Sequence, residues 1–205
     1  MARDTRSIVK LSRREGYALH PKAHKALAKR TSMPGQAANY RARSKPSQYS
    51  LQLREKQKVK RLYGLLEKQF SNLMKEASRT KGQSGAALLQ YLEQRMDNAV
   101  YRAGFATSRR AARQLVTHGH FMLNGRRVDI PSIRMKIGDE ITLREHSKGS
   151  EYFKKLDDVS PAPSAVPGWI TADRKKISVK VTNLPVRDDA ELDINEQLIV
   201  EYYSR

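Results

Sequence analysis

Three arginines, Arg109, Arg110 and Arg113, are spaced so that a helix would hold them within about 100° of one another, roughly opposite Leu115. The guanidinium is a planar fork that donates two parallel, charge-assisted hydrogen bonds, a geometry matched to phosphate. A row of such forks binds a phosphodiester backbone; it performs no bond-breaking chemistry. An Arg-Arg-x-x-Arg pattern alone is usually a solvated face. The elements that carry it therefore decide the reading.

On the arginine helix, Ala111, Ala112, Leu115 and Val116 share one side, Thr107 or Ser108 can cap the start, and Gly119 stops it. Upstream, Leu88, Leu92, Met96, Ala99, Val100 and Ala103 recur at helical spacing and predict a single helix, with Gly104 as its left-handed cap. Downstream, Phe121 and Leu123 alternate with Met122 before Asn124-Gly125, the strongest short signal for a tight hairpin, and Val128 and Ile130 alternate after it. A second turn at Gly138-Asp139 launches Ile141 and Leu143. Residues 88–145 thus predict helix, helix, hairpin and strand, with an apolar floor under a guanidinium row. His118 closes the second helix, where it can meet the helix dipole or a phosphate.

The whole chain agrees with a polyanionic partner. Its 205 residues allow one or two modest domains. Lys+Arg 40 against Asp+Glu 21 gives a formal net charge of +19, which repels itself unless a polyanion neutralises it. Nucleic acid is the first candidate and an anionic membrane surface the second. No apolar run approaches the roughly 20 residues that span a bilayer, and the first residues lack the apolar centre of a secretory signal. The cysteine count is zero, which removes disulfides, thiolate metal sites and thiol catalysis and fits a cytosolic setting. A hydrophobic content of 39% predicts a modest core with basic extensions.

Residues 1–49 read as a basic arm. Lys10, Arg13, Arg14, Lys22, Lys25, Lys29 and Arg30 are scattered among few large apolar residues, and Pro21, Pro34-Gly35 and Pro46 punctuate them. A short helix is predicted over 21–30. Arg41, Arg43 and Lys45 lie beside Tyr40 and Tyr49, a mixture suited to nucleotide stacking. Residues 50–79 predict the longest helix. Val59, Leu62, Leu66, Phe70, Leu73 and Ala77 form its apolar stripe, and Arg54, Lys58, Arg61 and Lys68 form a basic stripe that reads equally as a phosphate-facing surface or as a solvated face relieved by Glu55 and Glu67. Residues 160–168 are a proline-rich linker with an extended bias. Trp169-Ile170 anchors the chain again, and Ile177, Val179 and Val181 alternate as a strand that joins the central sheet. Asp193 or Asn195 then caps a terminal helix, lined by Ile194, Leu198, Ile199 and Tyr202, that docks on the helix starting at Ser50.

The predicted fold class is α+β: a helical domain with an inserted helix-helix-hairpin RNA-binding module and small antiparallel sheet, plus the basic amino-terminal extension. The boundaries are 1–49 for the arm, 50–87 for the helical domain with 190–205 docking on it, and 88–189 for the module and sheet, with a core at 92–145.

Catalytic chemistry finds no foothold. His20 and His24 have the i, i+4 spacing of a metal pair, but no glutamate stands between them and no cysteine is available. Lys81-Gly82-Gln83-Ser84-Gly85 lacks the pattern of a phosphate-cradling loop. Asp97, Asp129, Asp139 and Asp157 show no paired spacing for acid–base work. No catalytic residue, metal or cofactor is expected.

The pieces together resemble bacterial ribosomal small-subunit protein four and its universal family. The matching residues are SRREG from Ser12, PGQ from Pro34, LREKQKVKRLYGLLEKQF from Leu53, DNAVYRAGFATSRRAARQLV from Asp97, NGR from Asn124 and DINEQLIVEYYSR from Asp193. They run nearly end to end in the family's order. The resemblance implies a cytoplasmic, ribosome-bound structural protein that binds small-subunit rRNA and nucleates assembly of the subunit body. It implies contacts with small-subunit proteins three and five near where mRNA enters, support of translational accuracy, and no homo-oligomer. Carried over by motif, Arg13, Arg14, Arg54, Lys58, Arg61, Arg109, Arg110 and Arg113 would meet rRNA, with His118 beside them, and Arg41 and Arg43 would lie near incoming mRNA. Many relatives bind zinc through an amino-terminal cysteine cluster that this chain lacks, so no zinc is expected. The alternatives are a free-standing RNA-binding repressor or chaperone and an RNA-modifying enzyme using the same module; the latter would need a catalytic domain for which the flanks leave no room.

Overall fold

Helices dominate the first stretch of the chain because its apolar residues recur every three or four positions. The computed structural model describes residues 4–30, 32–35 and 45–204, so Arg41 and Arg43 lie outside the described residues. The chain divides into two compact units. One is discontinuous, Met1–Leu88 with Asp193–Arg205; the other is Leu89–Leu192.

The discontinuous unit opens with α1 (Ile8–Glu15), a 3-10 turn (Pro21–Ala23) and α2 (His24–Lys29). The single helix predicted over 21–30 is therefore two pieces. Pro21 lacks an N–H and starts the 3-10 turn, and the His20 ring nitrogen Nδ1 accepts from the Lys22 N–H at 3.1 Å. α3 (Gln48–Leu62) and α4 (Glu67–Ala77) follow. The long helix predicted over 50–79 is broken between them. Gly64 takes φ 67°, the Leu65 N–H reaches back to the Lys60 carbonyl at 2.9 Å, and the Gly64 N–H reaches Arg61 at 3.2 Å. That is a Schellman ending, which closes α3's last carbonyls. The apolar spacing runs through the break because Val59, Leu62, Phe70 and Ala77 are buried on both sides of it. The terminal helix α11 (Glu196–Tyr203) is capped by Asn195, whose Oδ1 accepts from the Leu198 N–H. It packs on α3. Tyr49 and Tyr202 lie 5.9 Å apart, Phe70 and Tyr203 6.3 Å apart, and Gln52 donates to Glu201 at 2.9 Å.

The second unit holds the end of α5 (Ser84–Glu93), then α6 (Met96–Arg102) and α7 (Arg109–Thr117). The single helix predicted over Leu88 to Ala103 is interrupted at Arg95, whose backbone is extended. A segment far along the chain takes over the hydrogen bonds there. The Met96 N–H donates to the Ile133 carbonyl at 2.9 Å, and the Met135 N–H donates to Gln94 at 2.8 Å. Local periodicity could not reveal a partner so distant. Gly104 ends α6 at φ 77°, and Ser108 caps α7 with its Oγ accepting from the Ala111 N–H at 3.2 Å.

Five strands form one antiparallel sheet in the order β2-β1-β3-β5-β4: β1 (Phe121–Leu123), β2 (Arg126–Arg127), β3 (Glu140–Leu143), β4 (Ile170–Asp173) and β5 (Ser178–Val181). The hairpin pairs Leu123 with Arg126 and Met122 with Arg127 across Asn124-Gly125. β5 joins β3, as its alternation predicts. The strand predicted through Val128 and Ile130 stops at Arg127; Ile130 is exposed, and its neighbours instead pair with the α5–α6 junction. Three one-turn helices, α8 (Glu145–Lys148), α9 (Glu151–Lys154) and α10 (Leu156–Val159), follow β3. The core gathers Phe105, Phe121, Phe153, Ile141, Val179 and Trp169, with Phe153 edge-on to Phe121 at 6.0 Å. The proline-rich stretch after α10 is held against the end of α6. Buried Ser160 donates to the Gly104 carbonyl at 3.0 Å, and Pro163 lies so close that a Cβ at Gly104 would come within 2.4 Å of it. The fold class is α+β, as the sequence predicts.

Candidate nucleic-acid interface

α7 projects its three arginines unequally. Arg110 is exposed, but the side chains of Arg109 and Arg113 are only 11% and 18% exposed. Arg109 Nε donates to Asn98 Oδ1 at 2.9 Å, its Nη2 reaches Glu191 Oε1 at 3.0 Å and Glu93 Oε1 at 3.8 Å, and its guanidinium lies 4.6 Å above the Tyr101 ring. Glu93 has a fully buried side chain. It also accepts from Arg102 at 2.8 Å and from Asn98 at 2.7 Å. Arg113 approaches Asp97 at 3.7 Å, and Asp97 is held by both forks of Arg95 at 2.8 and 3.0 Å. Burial pushes the Arg113 guanidinium below its ordinary range, against the pull of Asp97 and with the repulsion of Arg95. The expected even row of guanidinium groups is thus two arginines turned onto carboxylates of α5 and α6 and one turned to solvent. Charge partners on neighbouring helices are invisible in the spacing of α7 itself.

The hairpin adds two more exposed cations. Arg126 and Arg127 are both exposed on β2. Arg127 lays its guanidinium over Gly119 at the end of α7, where a Cβ would come within 2.8 Å of Nε. Next to it, exposed His118 caps α7 and lies 6.1 Å from the His120 ring. His120 shares a hydrogen bond with Ser147 Oγ at 3.0 Å and stands edge-on to Phe153. Burial, then His118 and Arg144, lower the His120 pKa. This arginine pair follows the Asn-Gly turn directly, so a cationic dipeptide at a hairpin tip is the signal that could have found it.

The discontinuous unit shows the same division of labour. Arg54 and Arg61 both bond Glu15 Oε1, Arg54 at 3.1 Å, and the Glu15 side chain is fully buried. Burial raises the Glu15 pKa against the opposing pull of Arg54, Arg61 and Arg14, and it lowers that of Arg61. Lys58 bonds the Asp193 carbonyl at 2.7 Å and Glu55 at 2.8 Å. Arg13 donates to the Ser32 carbonyl at 2.9 Å, whereas Arg14 is exposed. No cluster of three or more metal-ligating side chains occurs among the described residues, and no described helix is long and apolar enough to cross a membrane.

A small antiparallel sheet backed by short helices, with exposed cations at a hairpin tip and a helix end, is a surface suited to a polyanion. Residues 3–93 match the family described as Ribosomal protein S4/S9 N-terminal domain, and residues 94–141 match the S4 domain. The chain is 48% identical over 211 residues to Small ribosomal subunit protein uS4 of Clostridioides difficile, with all of both chains covered. It is 46% identical over 211 residues to the protein of that name from Thermus thermophilus and 48% identical over 206 residues to that of Chloroflexus aurantiacus, again end to end. The chain belongs to the uS4 family of small ribosomal subunit proteins. It is a ribosomal protein with an RNA-binding S4 domain, not an enzyme.

Proposed function

We propose that this chain is a structural component that grips small-subunit rRNA by its phosphates, nucleates assembly of the subunit body and supports translational accuracy where mRNA enters. Small-subunit proteins three and five are its proposed protein neighbours. The observation that carries the rRNA reading is the exposed set Arg110, His118, Arg126 and Arg127 on one helix and one hairpin of a chain with a net charge of +19. Arg14 provides an exposed cation in the other unit. Arg13, Arg54, Lys58, Arg61, Arg109 and Arg113 serve first as internal partners, and their positive charge adds to the field that draws phosphate. Arg41 and Arg43 remain the proposed contacts to mRNA.

Binding to small-subunit rRNA should fall steeply with salt, since each neutralised phosphate releases counterions. Arg110→Ala, Arg126→Ala and Arg127→Ala should each lower the salt slope by about 1 and leave thermal stability unchanged. Arg109→Ala should lower the melting temperature, because Glu93 and Glu191 lose a buried partner. Unchanged slopes for all three exposed variants would sink the interface.

A further inference from the structure

β2 is two residues long and lies at the edge of the sheet. So short a strand, paired on one side only, does not hold its own pitch. Yet it carries Arg126 and Arg127. Beside the backbone bond from the Asn124 N–H to the Glu140 carbonyl at 2.9 Å, the hairpin tip is bolted to the next turn through one amide and one carboxylate. Asn124 and Gly125 both have positive φ, 49° and 78°, as a tight two-residue turn requires. The Asn124 Nδ2 donates to Asp139 Oδ1 at 2.8 Å, and its Oδ1 accepts from the Glu140 N–H at 2.9 Å. The other carboxylate oxygen of Asp139 accepts from the Lys136 N–H at 2.7 Å. The Asp139 carbonyl accepts from the Val181 N–H at 2.9 Å, which ties the bolt to β5, an interior strand of the sheet. Both polar atoms of the Asn124 side chain are used, and both oxygens of the Asp139 carboxylate are used.

We propose that Asp139, acting through Asn124, is a positioning residue that fixes the pitch at which Arg126 and Arg127 meet phosphate. This rests on the reading that the hairpin binds rRNA. A negative charge beside a phosphate-binding tip is unfavourable in itself, so the carboxylate stands there for its geometry: it is the acceptor at both ends of the bolt. Rigidity set before binding removes ordering cost from the bound state.

The test is equilibrium binding of the full chain to small-subunit rRNA across a salt titration. Three variants are compared: Asp139→Asn, Asn124→Asp, and the exchange of both. Asp139→Asn removes a negative charge, so electrostatics alone would tighten binding. It also removes one acceptor from the bolt, and positioning therefore requires binding to weaken, by about tenfold, the size of one charge-assisted hydrogen bond. Asn124→Asp sets two carboxylates against each other and weakens binding by at least as much. The exchange restores every donor–acceptor pair: the carboxylate now at 124 accepts from the Glu140 N–H and from the amide now at 139, whose oxygen accepts from the Lys136 N–H. Its affinity returns to near wild type at unchanged net charge, which also carries the test should a single variant fold poorly. Binding by Asp139→Asn as tight as wild type or tighter, or an exchange variant as weak as the single ones, overturns the proposal. Full binding by Arg126→Ala and Arg127→Ala overturns it too, by removing the interface itself, and that result is separable from the first.

Discussion

Glu67, at the start of α4, is half exposed yet accepts from Lys56 Nζ at 2.6 Å, Lys60 Nζ at 2.7 Å and the Tyr203 hydroxyl at 3.1 Å. Burial pushes its carboxyl up, but the two lysines outweigh that and hold it at about 2. A folded value below the ordinary 4.5 means that the pairing stabilises the fold fully above about pH 4.5 and is lost as pH falls toward 2. Solvent screening at a half-exposed group trims the contribution to about 1 kcal/mol. Melting temperatures of the wild type and Glu67→Gln should therefore differ at neutral pH and converge as pH falls through that window; a constant gap would contradict the pairing. Lys56 is the mirror of this site. Its side chain is 4% exposed, and its Nζ lies 4.4 Å from the centre of the Tyr202 ring. A lysine counted in the sequence as free positive charge is thus part of a core. Arg54, Arg61 and Arg109 likewise each pair with a buried carboxylate. Net charge points to the right class of partner, but it cannot say which cations are available to meet it.

Helix endings set the geometry one level up. α3, α6 and α7 all close with a left-handed glycine, Gly64, Gly104 and Gly119, and a backward pair of backbone hydrogen bonds. Gly64→Ala should destabilise the fold by about 1 kcal/mol, since an L side chain is strained in that conformation; chemical denaturation measures it, and no change would mean that α3 does not end there in solution. These endings also mark what is legible. Gly104, Gly119, the Ser108 cap and the Asn124-Gly125 turn can be read because each is a local rule met by adjacent residues. Gly64 escapes notice because buried residues on both sides of it keep helical spacing. The interruption at Arg95 is hidden for a different reason: the backbone of 131–135, about 40 residues on, supplies the competing hydrogen bonds. β4 and the one-turn helices between Glu145 and Val159 are too short to show a period. Among the exposed cations, spacing singles out Arg110, whereas Arg126 and Arg127 make no stripe because two residues show no period.

At the scale of the molecule, one unit is closed by the last residues of the chain. Asp193–Arg205 belongs with Met1–Leu88, and Leu89–Leu192 is continuous. α11 and the residues just before it return to α3 and α4 through Gln52–Glu201, Lys58–Asp193, Glu55–Asn195 and Glu67–Tyr203. A chain ended at Leu192 should keep the sheet and its Trp169 core, since neither draws on the missing residues. It should lose the cooperative melting of the helical unit. Near-ultraviolet circular dichroism reads the buried Trp169, and far-ultraviolet melting reads the helices; loss of the tryptophan signal would show that the second unit depends on the terminal helix. Discontinuity also orders events during synthesis. Chains emerge amino terminus first, so the unit whose residues come out earliest is the last that can be completed. α3 waits with its α11-facing side uncovered until more than a hundred further residues have been made, and by then the sheet with its arginine hairpin has all of its sequence in hand. The unit whose residues come first in chain order therefore finishes folding after the part that is inserted into it.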